Sequence, residues 1–190
     1  SGNLNTNRSI NTSGNVSLQA TNSIGDDGDA AIDLSAGVIT ASTTRTTSPS
    51  DVHLNVIGGA LIQSVSAAGN GDIRLLNDTG TLDVDSAVNA GTGDVSIIGD
   101  TVDIDNSISG GNVTIEASSD LNLGGSATVQ AGGDGTTLSI SAPTIDLSAG
   151  TLGSETIRNE GSGNVVLEIT TGNLVLFDHS VGSATGNISL

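Results

Sequence analysis

One short unit recurs along the chain and constrains the fold more than any other feature. It is a Gly-Asn/Asp turn followed by apolar-x-apolar. It reads Gly14-Asn15-Val16-Ser17-Leu18, Gly71-Asp72-Ile73-Arg74-Leu75, Gly93-Asp94-Val95-Ser96-Ile97 and Gly111-Asn112-Val113-Thr114-Ile115. It returns as Gly163-Asn164-Val165-Val166-Leu167 and Gly186-Asn187-Ile188-Ser189-Leu190, with weaker copies at Ser50-Asp51-Val52-His53-Leu54 and Thr137-Leu138-Ser139-Ile140. From Val52 onward the first apolar position falls at 52, 73, 95, 113, 138, 165 and 188, which is a repeat of 18 to 27 residues. A second apolar pair sits between these copies: Ile32/Leu34, Leu82/Val84, Val102/Ile104, Leu121/Leu123, Ile145/Leu147 and Leu174/Leu176. A third, shorter element follows at Val88, Ile108, Val129 and Val181, with Ile39 and Ile157 assigned to the same row.

Alternation with period two places both apolar residues of a unit on one face and the middle residue on the other. Three residues cannot bury that face alone. Stacked about 4.8 Å above its predecessor, each unit gains backbone partners and a shared apolar interior. The expected fold is therefore all-β: a parallel β-helix (β-solenoid) with about three short strands per coil and seven to eight coils. The interior would be narrow, which agrees with a chain that has one Phe and no Trp, Tyr or Met. Residues 1–190 read as a single β-helix segment of a longer polypeptide. The distance from Val16 to Val52 is too long for one coil, and residues 40–50, which lack alternation, read as an inserted surface loop; the alternative is that Gly28 to Leu34 starts an irregular extra coil.

Charge narrows the function. Twenty-one acids against four arginines give a net charge of −17, and there is no Lys. Nucleic-acid binding needs a basic footprint, so that class is excluded. No apolar run reaches the ~18 residues that span a bilayer, so no membrane insertion is expected. With no Cys there is no disulfide, thiolate metal site or cysteine nucleophile. No Gly-x-Ser-x-Gly elbow is present, and a phosphate loop would need the missing Lys.

Acids in register are the candidate site. Asp33, Asp83, Asp103 and Asp146, with Asn122, take the outward middle position of the second unit. Asp85 and Asp105 lie two residues beyond. Stacked like charges repel, and Ca²⁺ held by Asp83, Asp85, Asp103 and Asp105 would relieve this. The alternative is an ordinary solvated acidic face. The Asp26-Asp27-Gly28-Asp29 turn allows the same two readings. His53 reads as solvated and Arg74 as a partner in a surface ion pair with Asp72 or Asp94. Turn Asn residues are expected to bond their own backbone. The outward row Ser17, His53, Arg74, Ser96, Thr114, Ser139, Val166 and Ser189 is too mixed for an ice-binding ladder.

The Gly-Asn-Val-x-Leu/Ile units, with x-Leu-Asp/Asn-Leu units between them, resemble filamentous-haemagglutinin-like exoproteins, and Gly111 to Gly125 shows the likeness best. Those are large Gram-negative adhesins exported by two-partner secretion. The resemblance implies a right-handed parallel β-helix forming the shaft of a secreted or cell-surface protein, with flanking coils and a cell or matrix surface as partners. The family's Asn-Pro secretion signature is missing, because Pro49 and Pro143 do not follow Asn. No catalytic residue carries over, so the expectation is a structural protein without a cofactor other than Ca²⁺. Two alternatives stand beside it: a β-helical lyase or tailspike-like glycosidase, and a self-assembling extracellular filament or sheath.

Overall fold

The computed structural model describes residues 9–25, 31–150, 155–175 and 180–190. It is an all-β solenoid of about seven turns, without a helix among the described residues. Among the described residues twenty strands pair in parallel, the inner ones with strands of the coils before and after and those of the first and last coils with one neighbour. Neighbours in space are one coil apart in sequence, so the backbone polar groups of each coil are satisfied by the next one.

Three faces can be followed up the rod. On the first, Val52, Ile73, Val95, Val113, Leu138, Val165 and Ile188 stack in one column. All seven positions expected from the repeat are therefore in register. On the second, Leu82, Val102, Leu121, Ile145 and Leu174 stack. On the third the column is Val65, Val88, Ile108, Val129, Ile157 and Val181. Two long strands, Val95–Ile104 and Val113–Gly125, run through the corner between the first and second faces. A register irregularity between Gly99 and Thr101 marks the bend.

The interior is aliphatic. Among the described residues the buried apolar side chains are Val, Ile, Leu and Ala, and most have no exposed surface at all. Burying a Val, Leu or Ile contributes roughly 1.5–3 kcal/mol. The column therefore stabilises each coil through its neighbours rather than through a local core.

The early coils differ from expectation. Asn15–Ala20 pairs with Val38–Thr43 and so lies on the second and third faces, with Val16 beneath Ile39. Ile39 in turn sits below Ile62 and Val84, so it belongs to the second face rather than the third. The first face begins with Ile10–Asn11 beneath Leu34–Ser35, and Ile32 stacks under Leu54. The Val16 and Ile32 units are thus interchanged relative to the sequence reading, and the over-long Val16-to-Val52 step disappears. Alternation is identical on all faces, so it carries no label of face. What does lengthen this coil lies elsewhere. Ile24 pairs with Val52 and Ile32 with Leu54, so seven residues of sequence separate these two partners where the next coil has one, His53.

Of residues 40–50, the first four complete the Val38–Thr43 strand. The exposed piece is Thr44 to Pro49. It is closed at its base: the Thr43 hydroxyl donates to the Ser50 carbonyl at 2.8 Å and accepts the Ala68 N–H at 2.8 Å.

Candidate functional site

Two stacks of acids and one lateral groove gather polar side chains among the described residues. The first stack lies at the corner entering the first face. Asp51, Asp72, Asp94 and Asn112 each receive through Oδ1 the backbone N–H of the equivalent residue one coil on, Asp72, Asp94, Asn112 and Thr137, at 2.7–2.9 Å. Asn164 does the same for Asn187 at 3.2 Å. Backbone bonds return the other way, from the N–H of Val52, Ile73 and Val95 to the carbonyls of Asp72, Asp94 and Asn112, at 2.8–2.9 Å. These side chains thus bond the next coil rather than their own turn. The preceding glycine follows from the same closeness. A Cβ at Gly93 would collide with the Gly71 carbonyl, and one at Gly71 with the Ser50 backbone.

The second stack is the predicted acidic row. On the second face Leu61, Asp83, Asp103, Asn122, Asp146 and Val175 follow one another in register. Asp33 is not part of it. It lies on the first face beside Asn55, whose Nδ2 donates to Asp33 Oδ1 at 2.8 Å. Asp85 and Asp105 continue past the strand ends on adjacent coils, Asp85 exposed and Asp105 half-buried. Asp83 Oδ1 is buried without a hydrogen-bond partner. Partial burial, then the charges of Asp103, Asp105 and Asp85, push the Asp83 carboxyl above its ordinary range. Asp103 is raised by burial and by Asp105, against a hydrogen bond from the Ile104 backbone. Among the described residues no group of three or more His, Asp or Glu side chains is placed to hold a metal ion. The Asp26–Asp29 turn lies outside the described residues, apart from its flanks.

His53 is 4% exposed, not solvated. Its N–H donates to Ile24 at 2.8 Å, and Gly25 packs so closely that a Cβ there would overlap the His53 carbonyl. Alternation alone made His53 outward. Ile24 and Gly25 of the previous coil pack against it. Arg74 has His53 and Ser96 as its register neighbours. The carboxylates of Asp72 and Asp94, once expected beside it, are engaged by the corner backbone. Phe177 and His179 lie outside the described residues.

The groove was not foreseen. It runs along the first face and onto the corner, lined by Ile98, Gly99, Glu116, Ala117, Ser118, Ser139, Ser141 and Glu168, with a volume of about 400 Å³. Glu116, Ser141 and Glu168 belong to one outward column on three successive coils. Beside it Ser118 and Ser119 donate to Asp100 Oδ1 at 3.2 and 2.6 Å. Those hydroxyls, Ser119 first, hold the Asp100 carboxyl below its ordinary range. The signal for the groove was present only as small residues (Gly99, Ala117, Ser139, Ser141) on different coils. It becomes visible once those coils are in register.

Comparison of the chain with protein-family models, with curated proteins and with solved structures finds no match.

Proposed function

We propose that this chain is a shaft segment of a large secreted or surface-exposed bacterial adhesin or filament, of the filamentous-haemagglutinin-like kind and from a Gram-negative organism. It acts as a rigid spacer and not as an enzyme. The observation that carries the reading is the unbroken column from Val52 to Ile188, in which the repeat keeps one register through seven levels. Such a stack resists bending, because any bend must open inter-coil hydrogen bonds on one side. The charge of −17 keeps neighbouring rods apart. The partners in this reading are flanking coils and a cell or matrix surface.

The test is electron microscopy of the native polypeptide, with antibody labelling of intact cells. A thin rod hundreds of ångströms long that labels at the cell surface supports the shaft. A compact particle, or a protein found only inside the cell, would refute it.

A further inference from the structure

The lateral groove belongs to neither the interior nor the acidic row. Its lining comes from four successive coils: Ile98, Glu116, Ser141 and Glu168 follow one another in the first-face column. At about 4.8 Å per coil, Glu116 and Glu168 lie roughly 10 Å apart along the rod axis. Ser141 lies between them, and Ser139 beside it faces the same way. Ile98, Gly99 and Ala117 make a low, apolar floor at one end. The volume of about 400 Å³ falls in the range of small-ligand sites, roughly 300–1,000 Å³. Both glutamates are exposed and so accessible to a ligand.

These features select an occupant. An elongated trough suits a linear chain lying along the axis. Two carboxylates on a protein of charge −17 exclude an anion and call for cationic groups at two points. Hydroxyls between them donate and accept, which suits a ligand that carries hydroxyls as well as charge. The apolar floor accepts the C–H face of a ring. We propose that the groove binds a linear amino-sugar oligosaccharide, with ammonium groups against Glu116 and Glu168 and ring hydroxyls against Ser139 and Ser141. The proposal rests on the adhesive reading and adds to it a ligand class and a place.

The test is calorimetric titration of the chain with a glucosamine tetramer at mildly acidic pH and physiological salt, the fold of each variant being checked by its melting temperature. One saturable site is expected, weakened about tenfold or more by Glu116→Gln and by Glu168→Gln, since each removes a charge-assisted contact. Asp83→Asn with Asp103→Asn removes as much charge elsewhere and should leave the affinity unchanged. The fully N-acetylated tetramer, which has the hydroxyls without the charge, should not bind. Spermine, which has the charge without the hydroxyls, should bind more weakly. Equal affinity after both Glu substitutions, or equal loss from the Asp pair, would show diffuse charge attraction and overturn the site. Spermine binding as tightly as the tetramer would overturn the sugar. Neither failure would alter the rod's length in the microscope, so the shaft reading is tested separately.

Discussion

Two stacks of aspartate climb the same rod, and they differ in what they face. At the corner, Asp51, Asp72 and Asp94 sit one above another, yet each carboxylate accepts a backbone N–H from the coil above at 2.7–2.9 Å. On the second face Asp83 and Asp103 are also stacked, but Asp83 Oδ1 has no donor and both carboxyls are pushed up in pKa. Residue type is the same, and so is the stacking of one acid per coil. The presence of a backbone donor decides whether a stacked acid fastens two coils together or pushes them apart.

The contrast can be broken most forcefully at the corner glycines. Gly93→Ala should cost about 3 kcal/mol, because the new methyl meets backbone and not a movable side chain. Chemical denaturation would measure it; a loss below about 1 kcal/mol would mean the coils are less closely held. Next, Asp94→Ala removes the acceptor of both the Asn112 N–H and its Nδ2, at 2.9 and 3.0 Å. A loss of about 1–2 kcal/mol is expected for these exposed bonds.

The second-face stack should respond with the opposite sign. Asp83→Asn with Asp103→Asn should stabilise the protein by up to about 1 kcal/mol at neutral pH, by removing like charges that face each other. This gain should be pH-dependent. Both carboxyls have folded pKa values above the ordinary 3.8, so the folded state holds their protons more tightly. Their destabilising effect is full above those raised values and fades as the pH falls through them toward 3.8. Melting curves of wild type and double variant should therefore converge on acidification. Asp100 runs the other way, since its lowered pKa contributes stability that is lost as the pH falls below 3.8. The smallest effect concerns Ca²⁺. No three of Asp83, Asp85, Asp103 and Asp105 surround one position, so we propose only a loose attraction of Ca²⁺ to them, and millimolar Ca²⁺ should stabilise by less than about 1 kcal/mol. Abolition of even that effect in the double variant would locate it.

The part of the fold legible in the sequence was the part with a face-specific marker. Gly-Asp/Asn before Ile73, Val95 and Val113 marks the corner, because there a side chain reaches the next coil past a residue without a Cβ. The Val16 unit carries the same letters, but Asn15 stands opposite Val38 on another face, and alternation alone could not tell the two apart. Asp33 was misplaced for that reason. His53 read as exposed because Gly25 of the preceding coil packs against it, which alternation within its own strand does not encode. Of the acidic row, the run Asp83, Asp103, Asn122, Asp146 was legible, since it needs only the coil period. The groove was not, because it depends on which small residues of separate coils fall side by side.

The account's central claim is that one register runs through the stack, with Val113 inside and Thr114 outside. Thermal and chemical unfolding of Val113→Asp and Thr114→Asp tests it most directly. Val113 has no exposed surface, so its Asp variant should lose more than about 4 kcal/mol and fail to fold at ambient temperature. Thr114 lies between Ser96 and Ser139, with no acid directly opposite, and its Asp variant should stay within about 0.5 kcal/mol of wild type. Similar melting temperatures for the two variants would contradict the stacked interior on which the shaft rests.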